Sequence, residues 1–176
     1  SIEVLTAMHP EMPPIIPLAV ETPAALFELG SLRLCAAKLA GITWGAEDLA
    51  TALSARTNRD KQGEFLAPYQ LTRSLTLFAA AAAGVPAIDT VYPDFRDLAG
   101  LATYAQAAAR DGFSGMMAIH PSQIAIINAA FTPSADEVSR AQAIVDAFAA
   151  NPGVGVLQVD GKMVDAPHLK QAKHIL

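Results

Sequence analysis

The feature that most constrains this chain is an alternation repeated four times, in which a short apolar run gives way to a stretch with helical periodicity. Residues 15–20 end at Glu21, residues 41–44 run into Gly45-Ala46-Glu47-Asp48, residues 85–88 end at Asp89, and residues 115–119 end at His120. Short apolar runs bounded by turn-forming residues read as buried strands, with Pro17 arguing against a regular central position because it has no N–H to donate. Strands that alternate with helices imply a parallel sheet. Functional residues in such folds gather at the carboxyl ends of strands. Glu21, Asp48, Asp89 and His120 all fall there.

Between the runs, local signals mark the helices. Thr22-Pro23 opens one as a cap residue followed by proline, and Gly30-Ser31 breaks it before a further turn through Cys35. Residues 54–65 are polar, carry Asn58, Asp60 and Gly63, and predict a surface loop. The next helix places Leu71, Leu75, Phe78 and Ala82 on one face and stops at Gly84. Another sets Leu98, Leu101, Ala105 and Ala108 inward and ends at Gly112. A helix from Pro121 turns Ile124, Ile127 and Phe131 inward. Ser134 and Glu137 have the spacing of a capping box, with Val138, Ala141, Val145 and Phe148 as the core face behind them. Residues 154–164 alternate around Asp160-Gly161, a strong hairpin signal, and residues 166–176 form a last helix. The expected division is a β/α part over residues 1–151 and a terminal segment over 152–176.

Composition narrows the function classes. With 52% hydrophobic and 16% charged residues among 176, a sizeable core is expected and disorder is not. A net charge of -5 argues against a nucleic-acid partner, which wants a basic surface. Cys35 is the sole cysteine, which excludes an intrachain disulfide and fits a reducing cytoplasm. No apolar run approaches the roughly 18–20 residues of a membrane span, and the start of the chain lacks the basic opening of a signal peptide.

Two carboxylates are candidate metal ligands. Glu21 and Asp48 end successive strands, and adjacent parallel strands bring them together. Magnesium takes hard oxygen ligands, commonly one or two carboxylates with waters and substrate completing the octahedron. Each residue equally suits the N-terminus of a helix. Glu47 is either an orienting neighbour or a solvated acid. Gly45 and Ala46 are small enough for their backbone N–H groups to face a ligand oxygen. Trp44 reads as core. Asp89 either supports the metal site or holds a loop, and His120 is either a structural loop residue or a ligand contact. A Ser122–His120 nucleophile pair is a poor reading without a third orienting group. His168 and His174 read as solvated or at a subunit contact.

Taken together, Glu21-Thr22, Trp44-Gly45-Ala46-Glu47-Asp48-Leu49, Asp89-Thr90-Val91-Tyr92 with Asp94, Ile119-His120-Pro121-Ser122-Gln123-Ile124 and Gly161-Lys162-Met163-Val164-Asp165-Ala166-Pro167 resemble the citrate lyase beta subunit-like and malyl-CoA lyase family of the HpcH/HpaI aldolase superfamily. The similarity runs from about residue 15 to residue 176. It implies a (β/α)₈ TIM barrel, here the second half plus a C-terminal hairpin–helix lid. Four strands do not close a barrel of eight. The chain is therefore an open sheet, or the amino-terminal half, with the family's early substrate-holding arginine, is absent or supplied by another chain.

The resemblance further implies Mg²⁺ as cofactor, held by Glu21 and Asp48. Glu21, Gly45, Ala46, His120 and Pro121 map to substrate contacts, and Asp165 to the acid/base at the carbon beside the thioester. The implied substrate is an acyl-CoA or acyl-carrier thioester, of malyl, citramalyl or citryl type, cleaved to an acetyl thioester and an oxo-acid. A homotrimer or homohexamer is implied, without nucleic acid or membrane as partner. The competing expectations are an aldolase acting on free 4-hydroxy-2-oxoacids and an incomplete subunit that works only with a partner.

Overall fold

In the computed structural model, which describes residues 2–9 and 11–176, the four apolar runs lie side by side in chain order and all parallel. The first bridges the second at Ile15–Leu39 and Leu18–Thr43, and the second bridges the third at Ile42–Ala87. The third and fourth contain β1 (Ile88–Asp89) and β2 (Gly115–Met116), paired Ile88 to Gly115 and Asp89 to Met116. Pairing in the first two runs is limited to single bridges. Pro17 and Pro86 act only as acceptors there, from Thr43 N–H (3.1 Å) and Ile42 N–H (2.9 Å).

The helices are α1 (Ile2–Met8), α2 (Pro23–Phe27), α3 (Ala46–Ala52), α4 (Ala67–Ala83), α5 (Leu98–Asp111) and α6 (Pro121–Phe131), with a 3₁₀ stretch at Leu29–Lys38. Their ends follow local chemistry. Thr22 caps α2 by accepting from Ala25 N–H, and Gly84 (φ 69°) closes α4 in the left-handed region. Gly112 does the same for α5 at φ 109°.

Among the helices up to Phe131, three faces depart from the hydrophobic spacing. On α4 the buried residues are Tyr69, Thr72, Thr76, Ala79 and Ala80, while Leu71 and Phe78 are 56% and 65% exposed and Ala82 is exposed. The inward threonines are compatible with a core because their hydroxyls donate back along the helix. Thr72 Oγ1 bonds Pro68 O and Thr76 Oγ1 bonds Thr72 O, both at 2.9 Å. Leu98 on α5 and Ile124 on α6 are likewise exposed, leaving Leu101, Ala105, Ala108 and Ile127 inside.

A first compact unit extends to Phe131, and residues Thr132–Leu176 form a second. In the second, α7 (Ala135–Ala150) and α8 (Ala166–Ile175) pack around Ala141, Ile144, Val164 and Ala172. Val138, expected inward, is exposed, and Ile144 takes its place in the core. Strands β3 (Val156–Val159) and β4 (Lys162–Asp165) form the expected antiparallel hairpin. Its turn residues Asp160 (φ 49°) and Gly161 (φ 72°) are both left-handed, as a two-residue hairpin turn requires. Among the described residues no helix is long and apolar enough to cross a membrane.

Candidate metal centre

The backbone brings Glu21 and Asp48 to one point. Gly45 N–H donates to Val20 O at 2.8 Å, which levels the ends of the first two runs at the same rim. Glu21 follows Val20 directly, and Asp48 lies in the first turn of α3, which starts at Ala46. A Cβ placed on Gly45 would sit 3.1 Å from Glu21 Cγ and 3.5 Å from both Glu21 Oε1 and Asp48 Oδ2. Both carboxylates therefore border the space over Gly45, Asp48 from the first turn of α3 and not from a strand end.

Their electrostatics are those of two like charges held close together. Burial raises the Glu21 carboxyl above its ordinary value. The charge of Asp48 and a hydrogen bond shared with it raise it further. Among the described residues neither carboxylate has an ion-pair partner. A divalent ion between them would relieve the repulsion. Among the described residues no third acidic, cysteine or histidine side chain completes a protein cage. The pair thus fits a magnesium ion that keeps several positions for water and substrate oxygens.

Gly45 enters this geometry differently from the sequence expectation. Its N–H is committed to Val20 O and is not free to face a ligand, so its contribution is the missing side chain. Ala46 is 1% exposed, its methyl packed in the core. Glu47 accepts a hydrogen bond from Asn58 Nδ2 at 2.8 Å and ties α3 to the loop before α4.

Asp89 is fully buried and completely partnered. Its Oδ1 accepts from Trp44 Nε1 and Thr90 N–H, each at 2.9 Å, and its Oδ2 from Arg73 Nε at 2.7 Å and Tyr104 OH at 3.2 Å. Arg73 also reaches Asp111 at 2.7 Å. Burial works to lower the Arg73 pKa, but Asp89 and Asp111 carry it above its ordinary value. Burial, joined by Asp89, pushes the Tyr104 phenol upward, so that it stays a donor. Nothing in the sequence singled out Arg73, whose partners lie 16 and 38 residues further on.

His120 and Pro121 stand at the start of α6, both exposed. His120 stacks on Phe95 with centroids 4.8 Å apart, and its Nδ1 meets Ser122 Oγ at 2.8 Å. Gln123, unassigned in the sequence reading, is the buried fastener of this turn. Its Nε2 donates to Tyr92 O and its Oε1 accepts from Ile119 N–H, each at 2.9 Å. In the second unit Asp165 caps α8 and pairs with His168 Nδ1 at 2.5 Å, its side chain 34% exposed. The hydrogen bond from His168 holds the Asp165 carboxyl below the ordinary carboxylate range.

Residues 13–121 match the family model described as HpcH/HpaI aldolase/citrate lyase. The mitochondrial citramalyl-CoA lyase of Rattus norvegicus is 37% identical over 140 residues, covering 78% of this chain and 40% of the relative. The citrate lyase subunit beta-like protein of Mycobacterium tuberculosis is 35% identical over 168 residues, or 92% of this chain and 61% of the relative. The citrate lyase subunit beta of Escherichia coli K12 is 36% identical over 160 residues, or 90% and 51%. The chain thus spans about half the length of these curated relatives. Among solved structures, that of M. tuberculosis CitE in complex with magnesium, acetoacetate and coenzyme A superimposes with a TM-score of 0.82 at 31% identity, over 99% of this chain and 63% of that one.

Proposed function

Because the chain belongs to the HpcH/HpaI aldolase/citrate lyase family, we propose that it is the metal-binding part of a magnesium-dependent carbon–carbon lyase acting on 3-hydroxyacyl-CoA thioesters. The observation that carries the reading is the convergence of Glu21 and Asp48 over Gly45. Relatives named citramalyl-CoA lyase and citrate lyase subunit beta support the substrate class, and the magnesium and coenzyme A of the M. tuberculosis complex support the cofactor and the thioester arm.

In this reading Glu21 and Asp48 hold the ion, which when bound neutralises charge on the oxo-acid oxygens. In cleavage the 3-hydroxyl gives its proton to water, the bond between C2 and C3 breaks as C3 becomes the oxo-acid carbonyl, and the bonding pair passes to the carbon beside the thioester as an enolate. Asp165 moves the proton at that carbon. Its carboxylate takes the proton in the condensation direction and, once protonated, returns it in cleavage. The oxo-acid binds beside the carboxylate pair, with His120 and Pro121 contacting the thioester arm. The acyl group is citramalyl, malyl or citryl. A homotrimer or homohexamer is the accompanying assembly, which light scattering on the eluted protein tests.

The decisive experiment incubates the full-length chain with Mg²⁺ and a panel of 3-hydroxyacyl-CoA esters, with free 4-hydroxy-2-oxoacids in parallel. Release of an oxo-acid and acetyl-CoA, abolished by EDTA and by Asp48→Ala, is expected. Cleavage confined to the free oxoacids would replace the thioester reading with the aldolase one. Activity retained in Asp48→Ala would refute the metal assignment.

A further inference from the structure

Buried carboxylates are costly, and a buried ion pair is often no more stable than apolar residues of the same volume. Asp89 is fully buried nonetheless, and its two oxygens take four hydrogen bonds. What the carboxylate supplies is direction. Its Oδ2 side is anchored by Arg73 on α4 and Tyr104 on α5, and Arg73 is held in turn by Asp111. Its Oδ1 faces Trp44, the residue immediately before Gly45, and grips the indole N–H at 2.9 Å. Trp44 is 1% exposed and lies against Phe65 with ring centroids 5.2 Å apart, so its indole follows the acceptor. Its backbone leads directly into Gly45, whose Cα carries the close approach of Glu21 and Asp48.

We propose that Asp89 is a positioning residue for the metal pair: by holding the Trp44 indole it sets where Gly45 lies and so the gap between Glu21 and Asp48. This rests on the reading of Glu21 and Asp48 as magnesium ligands. It separates the role of Asp89 from that of a ligand, since every lone pair of its carboxylate is already engaged within the protein. It also accounts for an indole donor at a core position that a phenylalanine would fill without a polar atom to satisfy.

The test titrates Mg²⁺ into the full-length chain by calorimetry, with melting in EDTA as the measure of fold. Trp44→Phe keeps an aromatic ring and removes the N–H, whereas Tyr104→Phe removes a bond to the opposite oxygen. Loss of an orienting partner costs on the order of tenfold in metal affinity, so Trp44→Phe should raise the Mg²⁺ Kd about tenfold and Tyr104→Phe by no more than about twofold. Equal shifts in the two variants, or none in Trp44→Phe, overturn the proposal. Asp48→Ala separates the two layers of the argument. Binding that survives it sinks the magnesium site itself, whereas binding abolished by it but untouched by Trp44→Phe sinks only the positioning role. Should Trp44→Phe not fold, the wild-type chain decides, because Trp44 is its one tryptophan and gives one indole proton signal. Coupling is reciprocal, so saturating Mg²⁺ must slow exchange of that proton in the wild type and not in Asp48→Ala. Unchanged exchange overturns the role of Asp89.

Discussion

Gly45 shows how a residue without a side chain shapes a site. Its φ of -112° is ordinary extended backbone open to any residue, so conformational freedom is not the reason for glycine there. Space is the reason, since an added methyl would stand 3.1 Å from Glu21 Cγ. Gly45→Ala is therefore expected to push the Glu21 carboxylate away from Asp48 and weaken Mg²⁺ binding severalfold. The fold should suffer little, because at a compatible φ the change stiffens the unfolded chain by about 0.4–1 kcal/mol in favour of the native state, which offsets the crowding. Calorimetric Mg²⁺ titration beside a thermal melt measures both quantities. An unchanged Kd would show that Glu21 is not pinned by Gly45. The same residue marks a limit of sequence reasoning, which foresaw a small residue at this rim but assigned it a free N–H that Val20 already occupies.

Element by element, the features legible in the sequence are those decided by neighbours in the chain. The fold is that of the HpcH/HpaI aldolases, and its parallel order of runs follows from the alternation alone. The caps of α2 and α7, the glycine stops at Gly84 and Gly112 and the Asp160-Gly161 turn depend on contacts within a few residues. The inner face of α4 was not legible, because hydropathy favours Leu71 and Phe78 over threonines that become compatible with a core only by bonding back to their own helix. The Asp89–Arg73–Tyr104 cluster was not legible either, since its members meet only in three dimensions.

The capping box of α7 permits a quantitative test at this scale. Ser134 Oγ accepts from Glu137 N–H at 3.3 Å, and Glu137 Oε2 accepts from Ser134 N–H at 2.8 Å. Ser134→Ala should cost about 1 kcal/mol of stability, read from denaturant melts. The hydrogen bonds from the Ser134 backbone and hydroxyl hold Glu137 below its ordinary value of 4.5. A depressed carboxyl contributes stability that is complete above its unfolded value and is lost as pH falls through the folded one. The stability gap between wild type and Glu137→Gln should therefore be widest near neutrality and close as pH drops below 4.5. A gap that widens on acidification would contradict the assignment.

For the whole molecule, the residues proposed for metal binding and for proton transfer belong to different units, the carboxylate pair to the one ending at Phe131 and Asp165 to Thr132–Leu176. This division makes metal binding and proton transfer separable by mutation. A ligand that binds only the native state stabilises it by about 2.7 kcal/mol at a hundred times its Kd, so Mg²⁺ should raise the melting temperature of the wild type and leave Asp48→Ala unmoved. Asp165→Asn should behave in the opposite way. Asparagine caps a helix about as well as aspartate, so α8 should persist, and the residue lies outside the unit that holds the pair. Its Mg²⁺-dependent thermal shift should match the wild type, while its turnover on a 3-hydroxyacyl-CoA falls by the roughly 10²–10⁴-fold that a positioned acid/base supplies. The outcome hinges on the kinetic constant that changes. A fall in kcat with Mg²⁺ stabilisation intact places Asp165 at the proton, whereas a matching loss of Mg²⁺ binding would mean that the substitution acts through the metal-bound state and that the acid/base must be sought elsewhere.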